Sequence, residues 1–168
     1  MALRVMALRI MPLRIMPLRI MPLRIMPLRI PGPFKKKLTS ARVARLATMD
    51  GRSPYLVPVC FAFDGKHIYT AIDKKPKKSR VKELQRVRNI RVNPQVALIL
   101  DEYDEDWSKL WYMLVRGPAD LIKDSERDRS RAIQLLRRKY PQYRMGLLAD
   151  DSQVIRITPE KIVCWGKP

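Results

Sequence analysis

The sequence has few of the residues from which metal centres and catalytic triads are built. Its 168 residues include one histidine, His67, and two cysteines, Cys60 and Cys164. Both cysteines lie in apolar stretches without a Cys-x-x-Cys spacing, so neither a zinc site nor a disulfide framework is indicated. His67 has no nucleophile motif near it, and no glycine-rich phosphate loop occurs in the chain. These absences argue against zinc domains, triad hydrolases and parallel nucleotide-binding sheets, and we predict no metal site.

Acidic side chains are also scarce, because 16 acids stand against 35 lysines and arginines and leave a net charge of +19. Such an excess can indicate nucleic acid, an anionic membrane or an anionic small ligand as the partner. No uncharged apolar run reaches the length of about 18 residues that a membrane-spanning helix requires. We therefore expect no membrane partner and a reducing, cytoplasmic setting.

Residues 1–30 are a five-residue repeat, MALRV and MALRI followed by four copies of MPLRI. A five-residue period turns successive arginines by about 140° around a helix and onto alternate faces of a strand, so neither structure gains an apolar face. The repeated prolines disfavour both structures further. We predict that residues 1–33 form a disordered or polyproline-like extension, with an arginine-rich targeting peptide as the alternative. Residues 34–168 are predicted to form the one folded domain.

The rest of the sequence alternates strand patterns with turn signals. Asp-Gly pairs at 50–51 and 64–65 predict turns between strands, and apolar spacing predicts amphipathic helices over 81–90 and 125–139. The strand patterns lie at 43–49, 53–64, 67–73, 95–103, 109–122 and 153–166, and the last of these is predicted to be two short strands around a turn. Strands joined mainly as antiparallel hairpins, with helices between them, predict a mainly β, α+β barrel or rolled sheet of about six strands.

A dense cluster of cations follows one of these strands, since residues 73–80 read DKKPKKSR. Ammonium and guanidinium groups can together clamp phosphate oxygens. A solvated basic loop is the alternative, and charge alone does not decide between the two.

Aromatic side chains are dense in a second segment, DEYDEDWSKLWY at 101–112. Flat side chains beside a loop could wall a planar ring, and a solvated acidic loop is the alternative. A calcium loop is not indicated, because the acids lack the required alternation around a central glycine.

In their order along the chain, these segments resemble the pyridoxamine 5'-phosphate oxidase-like split barrels, and in particular their F420-dependent subfamily. The resemblance is carried by ARVARLATMDGRSPYLVPVCFAFDGKHIYTAIDKKPKK at 41–78 and by RVRNIRVNPQVALILDEYDEDWSKLWYMLVRGPADLI at 86–122. It implies a six-stranded antiparallel split β-barrel with peripheral helices. It also implies a homodimer that holds a flavin or deazaflavin at its interface.

The resemblance further implies which residues contact the ligands. The cofactor phosphates would be bound by Lys75, Lys77, Lys78, Ser79 and Arg80. The ring would lie along Val57, Pro58 and Val59, with Thr48 and Ala71 near it. From the aromatic segment itself, rather than from the resemblance, we expect Tyr103, Trp107 and Trp111 to line the substrate pocket.

This chain reads YTAID on the third strand, where the oxidase members carry an arginine-rich phosphate motif, and this favours coenzyme F420 over FMN. We therefore expect an F420- or FMN-dependent oxidoreductase that transfers a hydride to a small unsaturated or planar substrate. No catalytic residue is identified, and Tyr69 and Tyr103 are candidates for supplying a proton. One alternative is a protein of the same fold that binds flavin, deazaflavin or haem without turnover. Another is a basic barrel for single-stranded nucleic acid, which the acidic loop disfavours, so we expect no specific nucleic acid partner.

Overall fold

The computed structural model describes residues 29–73, 83–122 and 126–168, and these form eight strands and three α-helices. The helices are α1 (Gly32–Ser40), α2 (Gln85–Val92) and α3 (Glu126–Lys139). The strands are β1 (Ala44–Met49), β2 (Pro54–Val59), β3 (Ala62–Phe63), β4 (Ile68–Ala71), β5 (Gln95–Glu102), β6 (Trp111–Leu121), β7 (Val154–Ile157) and β8 (Lys161–Gly166). None of the helices in these ranges is both long and apolar enough to cross a membrane.

Every strand pairing in the described ranges is antiparallel, and the strands follow the order β2-β1-β5-β6-β7-β4-β3. The long strand β6 pairs with β8 along its first half and with β7 along its second half. The sheet therefore curls around a core and divides where β6 changes partner. This arrangement confirms the predicted antiparallel split barrel with peripheral helices.

The expectation of six strands is wrong, because the described ranges alone contain eight. One cause is a break in the predicted strand over 53–64, which the structure divides into β2 and β3. At the break the Phe61 N–H donates to the Tyr140 hydroxyl at 3.0 Å, and that hydroxyl also lies 2.8 Å from the Phe61 carbonyl oxygen. Because Tyr140 takes the place of a neighbouring strand here, the ladder is interrupted at Phe61.

Gly117 marks the point where β6 passes from one partner strand to the other. A Cβ atom at this position would lie 2.0 Å from the Thr158 carbonyl oxygen. The Thr158 N–H donates to the Pro118 carbonyl at 2.9 Å, and the Glu160 N–H donates to the Arg116 carbonyl at 2.9 Å. The link between β7 and β8 thus wraps tightly around a residue that has no side chain.

The two predicted Asp-Gly turns are present. The Asp50 carboxylate accepts hydrogen bonds from the next N–H groups along the chain, and the Asp64 carboxylate does the same. Gly51 and Gly65 have φ angles of 91° and 102°, a region that glycine adopts without steric cost. Each turn is therefore fixed by its own two-residue sequence.

The buried side chains form two clusters. The first fills the barrel between the sheet, α1 and α2, and it includes Leu46, Phe61 and Leu98. The second lies under α3 and includes Ile133 and Leu136. The predicted amphipathic helices correspond to α2 and α3, although residues 81–82 and 125 of the predicted ranges lie outside the described residues.

Candidate functional site

The predicted phosphate ligands cannot be placed, because all of them lie outside the described residues. These are Lys75, Lys77, Lys78, Ser79 and Arg80. The structure describes the chain up to Asp73, which follows β4, and again from Glu83, which precedes α2. The phosphate clamp therefore stays a prediction.

Three of the residues predicted to lie at the ring share one face of the β1–β2 hairpin. Thr48 pairs with Tyr55, Val57 pairs with Leu46, and Val59 pairs with Ala44, so alternation along both strands points these side chains inward. Pro58 lies on the opposite, exposed face, and Ala71 is buried on β4. The structure thus brings Thr48, Val57 and Val59 together and separates Pro58 from them.

A buried hydrogen-bonded chain attaches α2 to this hairpin. The Asn89 amide donates to the Thr48 hydroxyl at 3.1 Å, and the Gln85 amide donates to the Asn89 side-chain oxygen at 2.7 Å. Asn89 is only 1% exposed. Buried polar groups that are satisfied in this way fix the elements that carry them. The first turn of α2 therefore has a defined position against β1.

Arg86 lies in that first turn, and its side chain is half-buried. Its Nε is wholly buried and has no hydrogen-bond partner among the described residues. Burial lowers the pKa of the Arg86 guanidinium, and the nearby Tyr55 and Asp73 act in the opposite direction. An N–H group buried without an acceptor is costly, and an anionic oxygen beside it would supply the missing bond. Arg86 is therefore a described residue that could hold a phosphate.

Further polar side chains extend from Arg86 toward the C-terminal end of β2. The Tyr143 hydroxyl donates to the Asp73 carboxylate at 3.3 Å. Burial, followed by the neighbouring Cys60 and Asp73, raises the pKa of Tyr143 far above its usual value. We call Tyr55, Cys60, Asp73, Arg86 and Tyr143 the polar row. It runs beside β2, which is the last strand on its side of the sheet.

The three residues predicted to line the substrate pocket do not share one environment. Tyr103 and Trp107 lie in the loop after β5, and Trp107 is 74% exposed. Trp111 is 5% exposed, donates through its indole nitrogen to Glu102 at 3.0 Å, and packs edge-on against Phe34. Trp111 therefore belongs to the core, whereas Tyr103 and Trp107 face solvent.

The strand register also separates that aromatic loop from Arg86. Arg45 pairs with Ile99 and Ala47 pairs with Ala97, so the end of β5 lies beside the beginning of β1. Tyr55, which neighbours Arg86, pairs with Thr48 near the opposite end of β1. Within one copy of the chain, the exposed aromatics and Arg86 thus lie at opposite ends of this sheet.

The outer face of the sheet carries apolar side chains among charged ones. Neighbouring strands align Pro58, Arg45, Ile99, Leu114 and Val163 in one row, in which Arg45 forms an ion pair with Asp101, and the Trp165 ring stacks on Tyr112 with ring centres 5.8 Å apart. Leu56 is 60% exposed and Trp165 is 53% exposed. We call Leu56, Pro58, Ile99, Leu114, Val163 and Trp165 the outer apolar face. Exposed apolar side chains grouped on one face of a sheet are typical of a surface that another molecule covers.

His67 and Tyr69 belong to a polar cluster at the β3–β4 turn. The Tyr69 hydroxyl donates to the Asp64 carboxylate at 3.0 Å and lies 3.4 Å from the His67 Nδ1. Burial lowers the pKa of His67, whereas burial and Asp64 raise the pKa of Tyr69 to about 12. Tyr69 therefore holds its proton tightly, which suits a structural role better than proton transfer.

The antiparallel order, the partner change along β6 and the peripheral helices define the class of split β-barrel proteins. A family model described as pyridoxamine 5'-phosphate oxidase matches residues 31–166, and the chain belongs to this family. No curated protein sequence matches it.

Solved structures share the fold at low sequence identity. A conserved hypothetical protein from Mycobacterium tuberculosis aligns with a TM-score of 0.62 and 20% identity, over 79% of this chain and 82% of that one. HutZ, a haem storage protein from Vibrio cholerae, aligns with a TM-score of 0.62 and 18% identity, over 81% of this chain and 94% of that one. An FAD-binding protein from Mesorhizobium loti aligns with a TM-score of 0.58 and 26% identity, over 77% of this chain and 89% of that one.

Sequence reasoning missed Arg86. Helical spacing predicts that Arg86 lies on the polar face of the amphipathic helix α2. Its side chain instead lies near Tyr55 and Asp73. The signal that could have found it is its position two residues after Leu84 and directly before Val87, which is buried. A cation at the border of an apolar helix face can bury its stem and aim its head group at a neighbouring element.

Proposed function

We propose that the chain is a homodimeric oxidoreductase that binds coenzyme F420, or alternatively FMN, and transfers a hydride to a small unsaturated or planar substrate. The observation that carries this proposal is the buried, unpartnered Nε of Arg86 beside the edge strand β2. Family membership supports a flavin-type ligand, because the matched family is that of pyridoxamine 5'-phosphate oxidase. When bound, such a cofactor carries the hydride, and the protein supplies orientation and a dry pocket.

Arg86 would bind a cofactor phosphate together with the cations that precede α2, Lys75, Lys77, Lys78 and Arg80, and with the Ser79 hydroxyl. A guanidinium offers a planar fork of donors, and ammonium groups add point charges around it. This many cations suits the longer polyanionic tail of F420 better than the single phosphate of FMN.

The inward face of the β1–β2 hairpin would support the ring. Val57 presents a half-buried apolar side chain there, Val59 is buried in the barrel core behind it, and Thr48 is already bonded to Asn89, so the hairpin is rigid before any ligand binds. Rigid apolar walls position a planar ring at little cost in conformational entropy. Pro58 and Ala71 do not share this face, but they remain candidates for contact with the ring from neighbouring surfaces.

A second copy of the chain would complete the site. The outer apolar face needs a cover, and a second copy is the partner that every molecule of this protein encounters. Tyr103 and Trp107 lie far from Arg86 along the sheet of their own copy, so they would reach a ring only across a dimer interface. In this arrangement each cofactor lies between the phosphate-binding residues of one copy and the aromatic loop of its partner.

The test is an equilibrium titration of the full chain with F420 and with FMN, followed by ligand fluorescence at two salt concentrations. We expect micromolar or tighter binding of F420, weakened at least tenfold in the Lys75→Ala, Lys77→Ala double variant. Preference for FMN would assign the chain to a flavin cofactor. Binding of neither ligand would overturn the proposal.

Turnover separates an enzyme from a protein that only stores its ligand. An oxidoreductase oxidises the reduced cofactor faster when an unsaturated substrate is added, whereas a storage protein does not. A parallel haem titration tests the tetrapyrrole alternative, for which His67, the one histidine in the sequence, is already engaged with Asp64 and Tyr69. Binding that falls steeply with salt for single-stranded DNA would instead support the nucleic acid alternative.

A further inference from the structure

A cavity lies at the Cys60 end of the polar row. Its volume is about 490 Å³, and its wall includes Arg42, Val43, Cys60, Tyr140, Tyr143 and Leu147. This volume is within the range of small-molecule sites, about 300 to 1,000 Å³. Its lining combines aliphatic and aromatic surface with a thiol and a guanidinium, and contains no acid.

A buried ammonium group lies beside this cavity. The Nζ of Lys139, in the last turn of α3, is wholly buried and has no hydrogen-bond partner among the described residues. It lies 3.9 Å from the centre of the Phe61 ring. Burial, together with Arg42, lowers the pKa of Lys139 to about 8, and the neighbouring Cys60 opposes this shift. The ammonium therefore lacks the counter-ion that a buried charge requires.

Arg42 adds a second cation at the same wall. Its guanidinium lies 5.6 Å from the centre of the Tyr140 ring and donates to the Lys139 carbonyl. None of the ion pairs found among the described residues includes Arg42 or Lys139. The nearest acid along the polar row is Asp73, which lies beyond Tyr143 and is bonded to its hydroxyl. Two cations thus converge without a neutralising carboxylate.

The wall that carries these groups is rigid. The Tyr140 hydroxyl accepts the Phe61 N–H and lies within bonding distance of the carbonyl oxygens of Arg42 and Phe61, at 2.7 and 2.8 Å. One phenol therefore joins the break between β2 and β3, the segment before β1 and the end of α3. A site held by such contacts is organised before a ligand arrives.

We propose that this cavity binds a small organic monoanion, a carboxylate on an apolar or aromatic body, with Lys139 and Arg42 as its counter-ions. The carboxylate accepts hydrogen bonds from the Arg42 guanidinium on the cavity wall, the Lys139 ammonium buried behind that wall adds charge attraction, and Val43 and Leu147 contact the apolar body. The cavity shares Cys60 and Tyr143 with the polar row, so the bound anion would lie next to the cofactor and would be the substrate class of the enzyme. That last role rests on the proposed function, whereas binding of the anion does not.

The thiol of Cys60 reports on this site without any cofactor. Iodoacetate and iodoacetamide both react with a cysteine thiolate, which forms a carbon–sulfur bond as iodide leaves, but only iodoacetate carries a carboxylate. The ratio of the two rates removes the effect of the reactivity of the thiol itself and measures recognition of the anion. Cys164 is the internal control, because it is also half-buried but does not line the cavity.

We expect the iodoacetate-to-iodoacetamide rate ratio to be at least tenfold higher for Cys60, measured in Cys164→Ser, than for Cys164, measured in Cys60→Ser. The variants Lys139→Met and Arg42→Met should each lower the Cys60 ratio severalfold. Arg138→Met, which removes an exposed cation from the same helix turn, should leave it unchanged. The rate with iodoacetamide and the thermal unfolding midpoint show whether each variant is folded.

Protection by a reversible ligand gives a second measurement on the unsubstituted chain. Benzoate should slow alkylation of Cys60 by iodoacetamide, and neutral benzamide at the same concentration should not. Equal rate ratios at the two cysteines, together with no protection by benzoate, would overturn the proposal. Because neither measurement uses F420 or FMN, the anion site can fail while the cofactor proposal stands, and the reverse also holds.

Discussion

Arg86 and Lys139 are the two described residues that bury a side-chain nitrogen without a hydrogen-bond partner. Burying such a group costs desolvation free energy, and a bound ligand that accepts a hydrogen bond from the group offsets this cost. The two nitrogens lie toward opposite ends of the polar row. We assign the Arg86 end to the phosphates of a cofactor and the Lys139 end to the carboxylate of a second ligand.

The pH dependence of stability tests the burial of Lys139. Its pKa falls from 10.5 to about 8 on folding, so between these values the unfolded chain binds more protons than the folded chain. Stability therefore rises with pH through this window. The groups that face the ammonium are Arg42, Cys60, Phe61 and Tyr140. Urea unfolding at pH 7 and pH 9 should show a rise in stability for the unsubstituted chain and a smaller rise for Lys139→Met.

The matched control for this experiment is Arg138→Met, which should keep the full rise. An equal rise in Lys139→Met and in the unsubstituted chain would contradict the burial of the charged amine.

At the scale of single elements, β6 is the strand at which the barrel divides. Its first half pairs with β8 and its second half with β7, and Gly117 lies between the two halves. The absence of a side chain there lets the Thr158 carbonyl approach closely. The topology of the sheet therefore depends on one residue in the middle of a strand.

Replacing this glycine should destabilise the fold. In Gly117→Ala the new methyl group would meet the Thr158 backbone, which cannot move without breaking its bond to Pro118. Overpacking of this kind costs about 1 to 3 kcal/mol. Chemical denaturation should show a loss of this size. Gly32→Ala, where no atom lies within 4 Å of the added Cβ, should lose much less, and equal losses in the two variants would contradict this account.

The elements that the sequence predicts differ from those that it does not in how far apart along the chain the residues that form them lie. The Asp-Gly turns, the helices and most strands follow from local patterns, because each depends on residues a few positions apart. The break between β2 and β3 does not, since it is made by Tyr140, which lies 79 residues from Phe61 in the sequence. Trp111 was predicted to belong to the aromatic loop for a different reason. It is the first residue of β6, and the alternation of that strand turns its side chain into the core and away from the loop that precedes it.

The candidate site was predictable only in part for the same reason. The family resemblance implied that Thr48, Val57, Pro58, Val59 and Ala71 lie at the ring, and strand pairing puts Thr48, Val57 and Val59 on one face. The sequence did not suggest Arg86, Lys139 or Arg42, because their significance depends on burial without a partner, and that property arises from contacts distant in sequence.

At the scale of the whole molecule, the outer apolar face is the surface on which the proposed dimer depends. Val163 lies in its β8 row, and a charge there would have to be desolvated in a dimer. We expect the unsubstituted chain to be a dimer by light scattering and Val163→Lys to raise the dimer dissociation constant at least tenfold. Val92→Lys changes an exposed valine on α2, outside this face, and should leave the dimer intact.

A monomer at all concentrations for the unsubstituted chain would remove the dimer from the account. It would also remove the role of Tyr103 and Trp107 across the interface, while leaving Arg86 in place.

The most direct measurement of the central claim is a fluorescence titration of F420 and FMN into the unsubstituted chain, Arg86→Met and Arg88→Met. Arg88 is exposed on the same helix and its guanidinium bonds the Gln85 side chain, so its variant makes the same change in charge without changing a residue of the polar row. Hydrogen bonds to charged groups contribute about 1.5 to 3 kcal/mol, so Arg86→Met should weaken binding of the preferred cofactor roughly ten- to a hundredfold. Arg88→Met should bind nearly as the unsubstituted chain does. Equal affinities in all three proteins, or no binding in any of them, would contradict the assignment of Arg86 as the anchor of a phosphate-bearing cofactor.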